Sequence, residues 1–199
     1  SEAILSKKQI ASPRTPRNNE NEKENLIKFI FVGSLTKGKQ PLLSVQVVHQ
    51  LKEKGYQVTL DIYGEGEEKQ KLQQYISSSN LKDIVYLHGN VDKEIVKLAY
   101  KNSNFLLFIS KSEGWPKVVA EAMFWGCLPI TSRVSCLPEM LGNGTRGSIV
   151  NKNVDEIVTV LEEYIKNEKE YLEQTQNAMK WARQYTLEKF EEEIKRLVV

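Results

Sequence analysis

The sequence has few cysteines, no long apolar run and no large excess of charge of one sign. Cys127 and Cys136 are its two cysteines, too few for a disulfide framework or a four-cysteine zinc site. No apolar run approaches the ~20 residues that a membrane-spanning helix needs. Lys plus Arg is 28 and Asp plus Glu is 26, for a net charge of +2, which gives no reason to expect nucleic acid as a partner. We therefore expect a cytoplasmic protein.

The composition that remains is that of a globular protein. The chain has 199 residues, of which 40% are hydrophobic and 27% are charged, values typical of one folded domain with a full core. Residues 1–25 differ from the rest because they are polar, contain Pro13 and Pro16 and show no hydrophobic periodicity. We interpret residues 1–25 as a linker or disordered lead-in and residues 26–199 as the folded domain.

Short apolar runs alternate with amphipathic segments along this domain. The apolar runs predict six buried strands, at 27–33, 58–64, 84–89, 105–110, 128–132 and 147–150. The segments with helical spacing predict helices at 41–55, 67–79, 92–103, 116–126, 155–166, 169–184 and 187–198. This alternation indicates an α/β fold, with an open parallel sheet of about six strands and helices on both faces. Ligands of such sheets bind beyond the carboxyl ends of the strands.

The start of the helix predicted at 116–126 is a candidate anion site. Pro116 stands at or near the first helical position, where its missing N–H costs nothing. The N–H groups of Lys117, Val118 and Val119 are then expected to be free. Together with the helix dipole they would bind a phosphate group.

Two carboxylates, Glu113 and Glu121, flank this helix start. Because carboxylates repel phosphate, we expect them to accept hydrogen bonds from sugar hydroxyl groups instead. A glutamate before a helix is also often a simple partner of the helix dipole, and one inside a helix is usually solvated. The residues by themselves leave both interpretations open.

The same segment resembles a known motif. EGWP (113–116), EAM (121–123) and GCLPI (126–130) are similar to the Glu-x7-Glu signature of retaining, nucleotide-sugar-dependent glycosyltransferases of family 4, the glycosyl transferases group 1, which have the two-domain GT-B fold. Further blocks agree in order and spacing: FVGSL (31–35) followed by Lys39, IYGEG (62–66), VYLHG (85–89) and the segment 181–190. The resemblance covers residues 27–198 and implies a Rossmann-like half of a GT-B fold.

The resemblance implies a role for each matched residue. Glu113 and Lys39 would be catalytic, with Glu113 on the hydroxyl groups of the donor sugar and Lys39 on the diphosphate. Glu121 would hold the ribose hydroxyl groups. The other donor-binding residues would be Gly33 and Ser34 near the diphosphate, Leu87, His88 and Gly89 against the base, and Gly114, Trp115, Pro116, Lys117 and Val118 against sugar and diphosphate.

The resemblance also implies what the protein needs for turnover. The donor would be a nucleoside-diphosphate sugar, the anomeric configuration would be retained, and no metal or other cofactor is expected. The sequence contains no Asp-x-Asp, the metal-binding motif of the other major glycosyltransferase fold. The family's N-terminal acceptor domain has no counterpart here, so we expect this chain to need a partner domain. Peripheral contact of the full protein with the inner face of the membrane is compatible with these features.

One residue departs from the family pattern. The arginine that follows the glycine in the family is Ser34 here. A hydroxyl does not replace a bidentate guanidinium clamp. We therefore expect weaker donor binding, or a contribution from Lys37 or Arg133.

The alternative is a non-catalytic, flavodoxin-like nucleotide-binding or signalling module, such as a receiver domain. A receiver needs acidic residues at its early strand ends. The corresponding positions here are Gly33-Ser34, Gly64 and His88-Gly89, so the alternative has little support. Whether His88 contacts a ligand or is an ordinary loop histidine is left open by the sequence.

Overall fold

The computed structural model describes residues 26–185. Within this range the six strands are β1 (Ile27–Val32), β2 (Val58–Tyr63), β3 (Val85–Gly89), β4 (Phe105–Phe108), β5 (Leu128–Ser132) and β6 (Ser148–Val150). The helices are α1 (Pro41–Glu53), α2 (Lys69–Ser78), α3 (Lys93–Asn102), α4 (Lys117–Trp125), α5 (Leu137–Met140), α6 (Val154–Lys166) and α7 (Glu168–Ala182), with a 3₁₀ turn at Gly142–Gly144.

All six strands pair in parallel, in the order β3-β2-β1-β4-β5-β6. The predicted α/β fold with a six-stranded parallel sheet is confirmed. The strand order reverses between β1 and β4, which lie side by side and parallel at the centre of the sheet although α1, α2 and α3 separate them in sequence. A crevice forms at such a switch point, and it is where ligands of doubly wound sheets bind.

Helices cover both faces of the sheet. Alternate residues of β1 point to opposite faces, so that Phe29 and Phe31 join one buried cluster and Ile30 joins the other. The first cluster is closed by α1, α2 and α6, and the second by α3, α4 and α5, while α7 contributes to both. This double cover explains why β4 and β5 are buried along their whole length.

Helix ends follow from local capping chemistry. The side chains of Asp92, Asn153 and Asn167 accept hydrogen bonds from backbone N–H groups at the starts of α3, α6 and α7. Gly126 ends α4 in the left-handed conformation, with φ of 82°. No helix within residues 26–185 is long and apolar enough to cross a bilayer.

Several element bounds differ from the sequence-based prediction. The helix predicted at 116–126 lacks one residue at each end, and α2 begins at Lys69 instead of residue 67. Strand β4 ends at Phe108 instead of residue 110, and α5 was not predicted. The proposed linker 1–25 and the helix predicted at 187–198 lie outside the described residues.

Candidate functional site

The carboxyl ends of β1 and β4 bring two loops together at the switch point. These are the β1–α1 loop (33–40) and the β4–α4 loop (109–116). The backbone N–H of Lys111 donates to the carbonyl oxygen of Gly38 at 2.8 Å, and the Ser110 hydroxyl donates to the same oxygen at 3.3 Å. The two loops therefore form one surface, although Gly38 and Ser110 are 72 residues apart in sequence.

An ion pair joins these loops at the level of the side chains. Lys39 Nζ lies 2.5 Å from Oε1 and 2.6 Å from Oε2 of Glu113. The Glu113 side chain is 8% exposed and that of Lys39 is 26% exposed. The ammonium also lies 5.1 Å from the centre of the Phe108 ring. The structure thus brings the two predicted catalytic residues into direct contact with each other.

Local geometry presents Lys39 at this position. Its backbone N–H donates to the carbonyl oxygen of Thr36 at 3.1 Å, which closes a tight turn. Gln40 follows in the left-handed conformation, with φ of 50°, and Pro41 begins α1. Ser34 is exposed at the start of the same loop, next to Gly33.

Serine hydroxyl groups hold the loop that carries Glu113. Ser132 Oγ donates to the carbonyl oxygen of Ser110 at 2.5 Å, and Ser135 Oγ donates to that of Gly114 at 2.6 Å. The single proton of the Ser110 hydroxyl is shared between the Gly38 carbonyl oxygen and that of Ser112, which lies 3.0 Å from Oγ. Ser135 adopts a left-handed φ of 50°, a conformation that costs free energy in a non-glycine residue. Ser132 and Ser135 were not predicted to belong to the site, because no sequence motif marks these contacts.

The start of α4 differs from the prediction. Pro116 precedes the helix, and the N–H groups of Lys117 and Val119 donate to the carbonyl oxygens of Trp115 and Pro116, both at 3.0 Å. A tight turn at the helix start therefore uses two of the three N–H groups expected to be free. Those of Gly114, Trp115 and Val118 donate to no atom of residues 26–185. They remain candidate donors to an anion, and the Trp115 side chain beside them is 58% exposed.

Glu121 lies just over one turn inside α4 and is partly buried. Burial removes water from its carboxylate and raises its pKa, while the nearby charges of Lys117 and Lys93 partly lower it. Within residues 26–185, no group donates a hydrogen bond to the Glu121 carboxylate. A half-buried carboxylate in this situation accepts hydrogen bonds readily from a ligand that supplies hydroxyl groups.

The end of β3 places His88 against the protein itself. His88 Nε2 lies 2.6 Å from Asp61 Oδ1, and its ring stacks on that of Tyr63 with the centroids 4.5 Å apart. Sequence reasoning missed Asp61, although an acidic residue in a largely buried strand is an unusual feature. Leu87 packs against the core, and the carbonyl oxygen of Gly89 accepts the N–H of Gly64 at 2.8 Å.

Close backbone contact joins the β1–α1 and β2–α2 loops. A Cβ atom on Gly64 would lie 2.0 Å from the carbonyl oxygen of Gly33, and one on Gly66 would lie 2.4 Å from that of Leu35. The N–H of Leu35 donates to the carbonyl oxygen of Glu65 at 2.9 Å. The Gly-x-Gly at 64–66 therefore has a packing role, since any side chain there would separate the loops.

Among residues 26–185, no group of three or more His, Cys, Asp or Glu side chains is placed to hold a metal ion. Metal-independent donor binding remains a prediction.

Residues 14–181 match the family described as glycosyl transferases group 1. The chain is 31% identical over 194 residues to an uncharacterized glycosyltransferase of Haemophilus influenzae, covering 94% of this chain and 53% of that protein. It is 26% identical over 155 residues to the putative colanic acid biosynthesis glycosyltransferase WcaL of Escherichia coli, covering 75% of this chain and 36% of WcaL. The chain thus spans about half the length of the Haemophilus relative and less of WcaL.

Solved structures share the fold. The pneumococcal O-GlcNAc transferase GtfA, in complex with UDP and GlcNAc, has a TM-score of 0.75 at 21% identity, over 86% of this chain and 35% of that one. A second match is the C-terminal domain of LpcC, a glycosyl transferase group 1 family protein from Francisella tularensis. It has a TM-score of 0.72 at 20% identity, over 81% of this chain and 87% of that one. These similarities do not favour the flavodoxin-like signalling alternative. With its Glu-x7-Glu segment at the switch point of a parallel sheet, the chain belongs to the glycosyl transferases group 1 family and folds as the C-terminal half of a GT-B glycosyltransferase.

Proposed function

We propose that this chain is the donor-binding domain of a glycosyltransferase that moves a sugar from a nucleotide sugar to an acceptor with retention of anomeric configuration. The observation that carries the proposal is the convergence of Lys39, Glu113 and the start of α4 at the switch point, with Glu121 just over one turn into the helix. Lys39 is suited to the diphosphate and Glu121 to ribose hydroxyl groups. Glu113 is suited to the hydroxyl groups of the sugar.

The chemistry of such a site is electrostatic. Transfer breaks the bond from the anomeric carbon of the sugar to the diphosphate oxygen and forms a bond from that carbon to the acceptor oxygen. Negative charge grows on the leaving phosphate oxygen, which takes up the proton that the acceptor hydroxyl loses. The Lys39 ammonium and the backbone N–H groups of Gly114, Trp115 and Val118 are donors that can stabilise this charge. No step of the proposed reaction needs a metal ion, and Glu113 and Glu121 would orient the ligand through its hydroxyl groups.

Two structural relatives suggest which nucleotide to test first. The pneumococcal transferase was solved with UDP and GlcNAc, and HepE from Anabaena, with a TM-score of 0.76 at 18% identity, was solved with UDP and glucose. We propose a uridine or other nucleoside-diphosphate hexose as donor. The similarity to WcaL favours polysaccharide biosynthesis as the setting, in the cytoplasm and at the inner face of the membrane.

The remaining half of a GT-B enzyme would supply the acceptor site. The match covers 53% of the Haemophilus relative, and catalysis in a cleft needs both walls to position the substrates and exclude water. We propose that the 199-residue chain alone binds donor but transfers no sugar to an acceptor. Turnover by the purified chain with a sugar acceptor would contradict this part of the proposal.

Calorimetry in a chelating buffer tests donor binding. Four nucleoside diphosphates, each with one of its hexose esters, are titrated into the chain: UDP, GDP, ADP and dTDP. At least one diphosphate and its hexose ester are expected to bind. The matched variants are Glu121→Gln at the site and Glu163→Gln on an exposed position of α6, and only the first is expected to weaken binding. Binding that requires Mg²⁺ or Mn²⁺, or no binding at all, would overturn the proposal.

Retention is tested separately on a full-length protein that contains this domain. The anomeric proton coupling of the first-formed product is compared by NMR with that of the donor. The same configuration is expected, and an inverted product would refute retention while leaving donor binding intact.

A further inference from the structure

Lys39 and Glu113 satisfy each other's charge in this structure. The ammonium bridges both carboxylate oxygens, at 2.5 and 2.6 Å, and the Glu113 side chain is almost fully buried. Under the proposed function these same two groups hold the diphosphate and the sugar of the donor. A diphosphate that binds Lys39 therefore has to compete with Glu113 for one ammonium group.

The outcome of this competition depends on whether the diphosphate carries a sugar. A buried carboxylate that loses its cation is strongly disfavoured unless other donors replace the cation. A bare nucleoside diphosphate withdraws the ammonium and brings only further negative charge towards Glu113. A nucleotide sugar also brings hydroxyl groups, which donate to the carboxylate as the ammonium moves to the phosphate.

The exchange needs no opening of the loops. The carbonyl oxygen of Gly38 accepts from both the Lys111 N–H and the Ser110 hydroxyl, which keeps the two loops joined. Lys39 has a long, partly exposed side chain above the Phe108 ring. Rotation of that side chain alone can move the ammonium between carboxylate and phosphate, and such rotations are fast compared with loop motion.

We infer that Glu113 withholds Lys39 from a bare nucleoside diphosphate and gives it up to a nucleotide sugar, which makes the site selective for donor over product. The inference rests on the proposed donor-binding function. It also has a consequence for turnover. Once the sugar has been transferred, Glu113 recovers Lys39, the product diphosphate loses its cation, and release of the product is favoured.

The test compares each nucleoside diphosphate with its own sugar ester on the Glu113→Gln variant of the 199-residue chain. Glutamine keeps the size of the side chain but does not hold the ammonium by charge. Affinities are measured by calorimetry with UDP and UDP-glucose, and with GDP and GDP-mannose. Glu113→Gln is expected to increase the affinity for the bare diphosphate about tenfold and the affinity for the sugar ester much less. The control Glu163→Gln removes an equal charge from α6 and is expected to leave both affinities unchanged.

A second variant shows whether the effect acts through Lys39. In a Lys39→Met background, Glu113→Gln is expected to change the affinity for the bare diphosphate less than about twofold. If the full tightening persists there, Glu113 acts by direct repulsion of the phosphate, and the inference is wrong. Should Glu113→Gln fail to fold, Glu113→Asp replaces it, because the side chain is shorter by one methylene and loosens the pair in the same direction.

The outcomes separate the inference from the function on which it rests. If neither nucleotide pair binds the wild-type chain, both are overturned. If a pair binds but Glu113→Gln does not shift the preference towards the bare diphosphate, the donor-binding function stands and the inference fails. A shift that depends on Lys39 supports the inference.

Discussion

Glu113 in the β4–α4 loop and Glu121 inside α4 are the two carboxylates of one motif, yet their surroundings differ. Glu113 is nearly buried and receives both of its hydrogen bonds from Lys39. Glu121 is half-buried, has a raised pKa and forms no side-chain hydrogen bond within residues 26–185. The loop thus carries a carboxylate that the protein already satisfies, and the helix carries one that a ligand can satisfy at no cost to another contact.

The largest expected effect separates the two glutamates directly. Glu121→Ala is expected to cost about 1–3 kcal/mol of affinity for a nucleoside diphosphate, because it removes a charged acceptor of ribose hydroxyl groups. Glu113→Ala is not expected to weaken the same ligand. Calorimetry of both variants gives the comparison, and equal losses would show that the two carboxylates do not divide the ligand as proposed.

Lys39→Ala changes the loop and leaves the surroundings of Glu121 intact. It is expected to weaken binding of a nucleotide sugar by about 1–2 kcal/mol, since a charge-assisted hydrogen bond is lost. Binding of a bare nucleoside diphosphate should weaken less, because Glu113 withholds Lys39 from that ligand. Lys39→Ala should not change the affinity for the bare nucleoside, and the difference should shrink as salt is added. Titrations with nucleotide sugar, diphosphate and nucleoside at two salt concentrations measure these losses, and equal losses for nucleotide sugar and nucleoside would exclude a phosphate role for Lys39.

Ser135→Ala tests how firmly the loop must be held. The hydroxyl that donates to the Gly114 carbonyl oxygen is removed, at a cost of about 0.5–1.5 kcal/mol in the free energy that orders the loop. Binding of a nucleotide sugar, which contacts this loop, is expected to weaken severalfold. The control is Ser112→Ala, whose loop contact uses the backbone carbonyl oxygen and not the hydroxyl. Equal affinities of the two variants would contradict the positioning role.

The smallest expected effect is a pH dependence that belongs to Glu121 alone. Burial raises the pKa of this carboxyl above its ordinary value of 4.5, and ligand hydroxyl groups favour the ionised form. Nucleotide affinity is therefore expected to rise with pH as this carboxyl ionises through its raised pKa. At Glu121 the folded state binds more protons than the unfolded state between the ordinary and the raised pKa, so the contribution of this residue to the free energy of unfolding should fall as pH rises through this window.

Glu121→Gln is the variant that checks this assignment. It should abolish both pH trends, because a glutamine does not titrate. Calorimetry and denaturant unfolding at several pH values measure them, and a trend that survives in Glu121→Gln belongs to another group.

The sequence was informative where the signal is local or periodic. Alternating apolar runs predicted six strands, and the structure contains all six in one parallel sheet. The segment 113–121 was identified because its residues are close along the chain. The expectation that the N–H groups of Lys117 and Val119 are free was wrong, because a tight turn around Pro116 uses both. Helix propensities do not predict such a turn.

Contacts between distant segments were beyond the sequence. Lys39 and Glu113 are 74 residues apart, and they meet because β4 pairs with β1 at the sheet centre. The pairing of His88 with Asp61 likewise depends on the register of β3 against β2. Strand order and register are set by the packing of the whole domain, so the sequence alone does not identify the partners of these polar side chains.

The contact of Gly64 and Gly66 with the β1–α1 loop has a consequence for the opening of the domain. Because backbone touches backbone there, and because the N–H groups of Leu35 and Glu68 donate across the contact, neither loop can be lifted without breaking hydrogen bonds of the other. The two loops should unfold locally as one cooperative unit. Hydrogen exchange would then report similar opening free energies for the Leu35 and Glu68 amides. The β1–α1 loop, which carries Lys39, would stay ordered only while the β2–α2 loop is folded.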